Sequence, residues 1–172
     1  MVKSIFGELA KGKPKSRFTV GIRDDVSGSS LPWDMDDDIE ADDVQRAIFF
    51  GLGSDGTVSA NKATIKIIGE KTPKYAQGHF EYDSRKSGST TISYLRFGPR
   101  PIRSTYRVSQ AQFIAVHDPE FLEKRDVLGA AMPGATILVN TMVPAERFFD
   151  SLPLEVQRQL VDKRCHVHVI DG

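Results

Sequence analysis

Hydrophobic and polar positions change rhythm near residue 45. Before it, apolar residues are sparse. Residues 11–17 are basic and interrupted by Pro14, and the stretch reads as a tail. A short apolar run follows at Phe18-Thr19-Val20-Gly21-Ile22, then polar chain rich in Gly and Ser from Asp24 to Ser30. Beyond residue 45 the pattern is that of a folded domain. Ala47 to Phe50 is a short apolar run ending at Gly51, the signature of a buried strand. Thr57 to Ile68 has helical apolar spacing at Val58, Ile65 and Ile68; Gly69 closes it, and Pro73 forbids continuation. Tyr75 to Asp83 and Thr91 to Phe97 alternate in period two and read as strands. Phe113 to Val116 is a further buried strand. Asp118 as N-cap and Pro119 at the first helical position start a helix predicted to run through Leu128. Pro133-Gly134 reads as a turn before a strand over Thr136 to Thr141. A helix over Ala145 to Lys163, broken near Pro153, and a strand over Val167 to Ile170 complete the order.

Strands alternating with helices predict an α/β fold: a Rossmann-like, three-layer α/β/α domain on a mostly parallel sheet, preceded by an irregular connector. The expected division is 1–44 as a connector from a preceding domain and 45–172 as the domain itself. Asp171-Gly172 follow the last strand where a doubly wound sheet calls for a helix, so the domain is expected to continue beyond this chain.

Charge sharpens the picture at one place. Seven acids crowd into residues 34–43, which reads as a solvated linker. Over all 172 residues, 23 Lys and Arg balance 23 Asp and Glu, which argues against a general nucleic-acid binder. With 40% hydrophobic and 27% charged residues, the chain is neither disordered nor fibrous. No apolar run approaches the roughly 18–20 residues of a membrane span, and the N-terminus lacks the apolar stretch of a signal peptide. The expected location is cytoplasmic. The single cysteine, Cys165, excludes an internal disulfide and any thiolate-held cluster built by this chain alone.

The strongest local motif is Gly51-Leu52-Gly53-Ser54-Asp55-Gly56, a G-x-G-x-x-G between an apolar strand and a helix. In that setting Gly51 permits a tight turn, Gly53 lets a ligand approach the backbone, and Gly56 permits close helix–strand packing. The amides opening the helix at Thr57 then face a phosphate. Asp55 brings a negative charge into the loop and is equally suited to capping the helix. The competing reading is a glycine-rich packing turn without a ligand. After the next strand come Asp83-Ser84-Arg85-Lys86-Ser87-Gly88, where dinucleotide folds discriminate the ribose. Arg85 and Lys86 suit a phosphorylated ribose: coenzyme A with its 3′-phosphate, or a phosphorylated nicotinamide cofactor. A solvated turn is the alternative. Arg96, Arg100 and Arg103 lie within eight residues that also hold two prolines. Their forks suit carboxylates or phosphates, or an inter-domain ion-pair patch.

Other candidates are weaker. His166 and His168 share a strand face, but nothing completes a metal site. His117-Asp118 end a strand where such sheets bind ligands, though capping accounts for them. Cys165 reads as a buried thiol, and there is no nucleophile elbow. No catalytic residue and no metal ligand is therefore assigned to this chain.

Three segments carry a family resemblance: 18–31 (FTVGIRDDVSGSSL), 49–62 (FFGLGSDGTVSANK) and 82–106 (YDSRKSGSTTISYLRFGPRPIRSTY). They closely resemble the pyruvate:ferredoxin (flavodoxin) oxidoreductases, and the likeness runs from about Phe18 to Asp171. It matches the connector into the domain equivalent to the gamma subunit of split 2-oxoacid:ferredoxin oxidoreductases, and most of that domain. The resemblance implies an enzyme that decarboxylates pyruvate on thiamine diphosphate with Mg, passes electrons through iron–sulfur clusters to ferredoxin or flavodoxin, and delivers acetyl to coenzyme A. It implies partners in the remaining domains or subunits, and a homo-oligomeric whole enzyme. One cysteine holds no cluster. Asp55-Gly56 with Asn61 superficially resembles a thiamine metal–diphosphate motif, but the Asn comes too soon. Those cofactors are expected outside this chain, which binds none tightly and is expected to be inactive alone. The gamma-like domain is expected to assist coenzyme A docking and assembly, through Gly51, Gly53, Ser54, Asp55, Gly56, Thr57, Arg85, Lys86 and Arg96. Two other readings stay open: a purely structural inter-domain module, and an independent nicotinamide-cofactor protein, which the lack of a following substrate domain disfavours.

Overall fold

A computed structural model describes residues 1–22, 26–34, 38–83 and 89–172. Arg85 and Lys86, and the linker acids Asp36 and Asp37, lie outside the described residues. The chain divides into two compact units, Met1–Ile39 and Glu40–Gly172.

The first unit is more ordered than a tail. Helix α1 spans Val2–Leu9, and a short parallel ladder joins β1 (Thr19–Val20) to β2 (Ser30–Leu31). The stripe Val2, Ile5, Phe6 and Leu9 has helical spacing, which the basic run after it obscured. The helix buries Glu8, not that stripe. The Glu8 carboxylate accepts from the Lys11 ammonium at 2.5 Å and the Lys15 N–H at 2.9 Å, so the basic run caps the helix end.

The second unit is one six-stranded sheet in the order β4-β5-β3-β6-β7-β8. Its strands are β3 (Gln45–Leu52), β4 (Tyr75–Tyr82), β5 (Thr90–Gly98), β6 (Ala111–Val116), β7 (Ala131–Asn140) and β8 (His166–Ile170). The pairs β3/β6, β6/β7 and β7/β8 are parallel, and β5 runs antiparallel to both β3 and β4. Every strand except β5 therefore points the same way, and the sheet is the mostly parallel one expected.

Helix α2 (Thr57–Lys71) crosses from β3 over β5 to β4 on one face. There Ile65 lies against Gly78 and the Lys62 ammonium sits over the Phe80 ring. The other face carries α3 (Glu120–Lys124), α4 (Ala145–Ser151) and α5 (Leu154–Asp162). Their Phe121, Leu122, Phe148, Val156 and Leu160 join Ile48, Phe50, Ile114, Val116, Ile137 and Val139 in one buried cluster. Pro153 separates α4 from α5 as expected.

Two local expectations need correction. The helix predicted through Leu128 stops at Lys124, because Arg125 turns extended, and a 3₁₀ turn covers Leu128–Ala130. Pro133-Gly134 is not a turn between elements. It lies inside β7, where the register with β6 shifts and Gly134 takes φ +78°. A bulge accommodates the proline, which has no N–H for the ladder.

Candidate functional site

After β3 the chain passes through α2 to β4 on one side of the sheet. After β6 it passes through α3 to β7 on the other side. The strand order thus reverses between β3 and β6. Two connections leaving in opposite directions open a crevice at the carboxyl ends of those strands, where such sheets take ligands. The glycine loop ends β3, and His117-Asp118 end β6. The His117 N–H donates to the Phe50 carbonyl at 2.9 Å and ties the two ends together. Asn140 adds a contact from β7, its amide donating to the His117 carbonyl at 3.4 Å.

The loop follows the expected motif, but its glycines exchange roles. A Cβ on Gly51 would stand 2.6 Å from Thr57 Oγ1 and 2.8 Å from Asp55 Oδ2, so Gly51 permits the close helix–strand approach assigned to Gly56. At Gly56 a Cβ would meet nothing, but φ is +84°, a conformation that favours glycine. Gly53 approaches protein rather than open space. Its N–H donates to the Ser89 carbonyl at 2.6 Å, and a Cβ would lie 2.0 Å from the Ser89 hydroxyl. Ser54 turns the chain at φ +70°. The Thr57 N–H, expected to face a phosphate, donates instead to Asp55 Oδ1 at 2.8 Å, and Asp55 Oδ2 accepts from the Leu52 N–H at 2.8 Å. Asp55 therefore closes the loop and caps α2. Partial burial pushes its carboxyl up, but hydrogen bonds from Thr57 and Leu52 and the nearby His117 outweigh that and hold it below the ordinary carboxylate range.

The hairpin after β4 comes to the same end of the sheet. Asp83 donates its N–H to the Thr90 carbonyl at 3.0 Å, and Ser89 bonds Gly53 as above. The residues flanking the 84–88 segment are thus fixed beside the glycine loop. A cavity of about 260 Å³ lies there, lined by Glu81, Asp83, Thr90, Ile92 and Arg125. Arg125 enters it from the end of α3 and donates to Thr90 Oγ1 at 3.0 Å. Sequence reasoning missed this cation, because nothing local distinguishes an arginine that follows a helix; only the register of β5 brings Thr90 to it.

Arg96 does not join this group. It pairs in register with Arg46, whereas Gly51 pairs with Thr91, so Arg96 sits toward the opposite end of the sheet. Its side chain is only 1% exposed. Nε bonds Glu40 Oε1 at 2.5 Å, Nη2 donates to the Tyr106 carbonyl at 2.8 Å, and the guanidinium stacks 5.1 Å from the Tyr106 ring centre. Its forks are spent on protein. Arg100 bonds the Asp43 carboxylate at 2.7 Å, and Arg103 is exposed. This end carries a second cavity of about 400 Å³ beneath residues 104–107, where His79 and Arg107 both reach Glu81.

Asn61 lies on α2 and is buried against the sheet, so it cannot serve as a diphosphate–metal ligand. Among the described residues no group of three His, Cys, Asp or Glu could hold a metal ion. Burial pushes the Cys165 thiol up, with Lys163 opposing weakly, so it is a poor nucleophile. No helix among the described residues is long and apolar enough to cross a membrane.

Comparison with known proteins places this geometry. Residues 46–172 match the family model for pyruvate ferredoxin/flavodoxin oxidoreductase. The pyruvate-flavodoxin oxidoreductase of a Nostoc species is 55% identical over 172 residues, which are 100% of this chain and 14% of that protein. Among solved structures, the pyruvate oxidoreductase subunit PORC of Thermotoga maritima matches with TM-score 0.55 at 19% identity, over 75% of this chain and 62% of that one. The 2-oxoglutarate:ferredoxin oxidoreductase of Magnetococcus marinus, solved with 2-oxoglutarate, coenzyme A and succinyl-CoA bound, matches with TM-score 0.50 at 11% identity, over 76% of this chain and 20% of that one. The sheet, the loop at its reversal point and the family match over most of the chain agree: this chain belongs to the pyruvate ferredoxin/flavodoxin oxidoreductase family.

Proposed function

We propose that this chain is the coenzyme A-docking and assembly domain of a pyruvate:ferredoxin or pyruvate:flavodoxin oxidoreductase. The observation that carries the reading is the glycine loop at the point where strand order reverses, with Ser89, which follows residues 84–88, bonded to Gly53 beside it. In this reading the parent enzyme decarboxylates pyruvate, sends the electrons to an iron–sulfur or flavin protein, and passes the acetyl group to coenzyme A. Thiamine diphosphate and the clusters supply the carbanion and electron chemistry elsewhere in that enzyme. With one cysteine and a buried Asn61, this chain fits neither group.

The chain's own part is positional. The crevice bounded by Ser54, Asp55 and His117 receives the ligand. Arg85 and Lys86, carried on the adjoining hairpin segment, meet the phosphorylated ribose. Asp55 stands where a loop-bound phosphate would sit, so the cations of the hairpin, not the helix N-terminus, carry the charge recognition. A second reading is a purely structural module. It is favoured by Gly53, whose close approach is already taken by Ser89, and by Arg96, whose donors are used internally.

Ligand binding to the assembled enzyme at fixed salt separates the two. Loss of one charge-assisted phosphate contact is worth about 1.5–3 kcal/mol, or one to two decades in Kd. Lys86→Ala is expected to weaken coenzyme A by that amount while leaving 3′-dephospho-coenzyme A and pyruvate nearly unchanged, with Arg85→Ala as the companion variant. If neither variant discriminates the two coenzymes, the phosphate role is gone and the structural reading stands.

A further inference from the structure

In a dinucleotide-binding sheet the strand after the first helix lies directly beside the strand that ends in the glycine loop, so its end borders the loop. This sheet departs from that rule. β5 is inserted between β3 and β4, and the end of β4 stands two strand spacings, roughly 10 Å, from β3. The residue that borders the loop is instead Thr90, the first of β5, in register with Leu52. Thr90 shares its face of the sheet with Ile92, which packs against the cluster that holds Phe121 and Leu122 of α3. Arg125, directly after α3, comes in on that face and donates from Nη2 to Thr90 Oγ1 at 3.0 Å.

The setting of this arginine is that of a held but unspent cation. Thr90, which holds it, is only 7% exposed, whereas Arg125 is exposed and walls the cavity of about 260 Å³. Of the carboxylates on that cavity, Glu81 is engaged by His79 at 3.2 Å and by Arg107 at 2.5 Å. Asp83 lines it too, yet among the described residues Arg125 forms no ion pair. A hydrogen bond to a neutral hydroxyl fixes the guanidinium fork without neutralising it.

The loop beside it is a poor anion site by itself. Asp55 occupies the Leu52 and Thr57 N–H groups, and its own charge opposes a phosphate. A coenzyme A lying across the point of strand reversal carries a doubly charged diphosphate past this loop, and a guanidinium fork matches two phosphate oxygens. We propose that Arg125, oriented by Thr90, binds the diphosphate of coenzyme A and so sets the preference for the whole coenzyme over its pantetheine end alone. The proposal rests on the docking reading above and divides its charge recognition: the diphosphate goes to Arg125, and the 3′-phosphate does not.

The test uses the full-length parent enzyme at fixed salt. Equilibrium binding is measured for coenzyme A and 3′-dephospho-coenzyme A, and kcat/KM for pantetheine as acetyl acceptor. Arg125→Gln keeps a donor for Thr90 and removes the charge. It is expected to weaken both coenzymes equally, by roughly 10–100-fold, as for loss of one charge-assisted contact. Pantetheine has no diphosphate, and its kcat/KM is expected to stay near that of the parent. Arg125→Lys, which keeps the charge without the fork, is expected to recover part of the affinity. Unchanged binding of both coenzymes by Arg125→Gln would overturn the proposal. So would weakening of coenzyme A alone, which puts Arg125 on the 3′-phosphate, or an equal loss with pantetheine, which marks a general disturbance of the crevice. Lys86→Ala is measured in parallel: the docking reading stands or falls on discrimination between the two coenzymes, whereas Arg125 is judged on the loss they share.

Discussion

Asp55 shows how one side chain decides what a motif becomes. The spacing of Gly51, Gly53 and Gly56 announces a phosphate loop, and the residue between them fills the phosphate's place. Its carboxylate takes the Leu52 and Thr57 N–H groups at 2.8 Å each. Because the folded-state pKa is depressed, this stabilisation is fully present above the unfolded value of about 4 and is lost as pH falls through the lower folded value. Asp55→Ala is expected to cost about 0.5–2 kcal/mol at pH 7, as for loss of a helix cap. The gap between variant and parent is expected to be smaller at pH 3 than at pH 7. Denaturant unfolding at both pH values checks this, and equal midpoints at pH 7 would refute the capping role. The motif was legible at this scale, but its chemistry was not. A glycine pattern states where the backbone bends and says little of which oxygen accepts the freed N–H groups.

At the scale of elements, α2 and the β4–β5 hairpin are matched through missing side-chain volume. A Cβ on Gly78 would lie 2.1 Å from Ile65 Cδ1 and 3.1 Å from the Phe80 ring. Gly78→Ala is therefore expected to destabilise the fold by about 1–3 kcal/mol, the usual cost of overpacking. Ile65→Val removes the obstructing methyl and is expected to recover part of that loss. Thermal unfolding of the two single variants and the double variant forms a cycle whose coupling term must be favourable; simple additivity would place Ile65 away from the glycine. Strand periodicity foretold β4, but not this contact. The spacing of Val58, Ile65 and Ile68 marks an apolar stripe and does not say that Ile65 meets Gly78, the seventh residue after the helix.

Across the second unit, Arg96 and Glu40 hold the segment before β3 to the far end of β5. Both side chains are almost wholly buried, at 1% and 4% exposure, and their N–O distance is 2.5 Å. Breaking such a pair from one side leaves a buried charge, at a typical cost of 3–5 kcal/mol. Glu40→Ala is expected to lower the melting temperature strongly. A double replacement by apolar residues of similar volume, Glu40→Leu with Arg96→Met, is expected to restore most of the loss. If the double variant is no more stable than Glu40→Ala, the destabilisation arises from something other than the unpaired guanidinium. Arg96 was singled out in the sequence as a ligand residue because three arginines lay together; burial turned it into a structural one.

The sequence by itself determined the strands, their alternation with helices, the parallel sheet and the family, because apolar periodicity and glycine or proline punctuation are local signals. It also determined that this chain's own cysteines cannot hold a cluster alone, which needs only a count of them. It did not show α1, whose apolar stripe was read with the basic run that follows, nor the bulge that carries Pro133-Gly134 within β7. Tertiary structure alone decided where distant residues meet. It set Ser89 against Gly53, Arg125 on Thr90, and Glu40 on Arg96, contacts that span 35 residues or more in each case. It alone separated Arg96 from the glycine loop. Strand order and register produce these juxtapositions, and both are set by packing across the whole sheet, which no local stretch of sequence encodes.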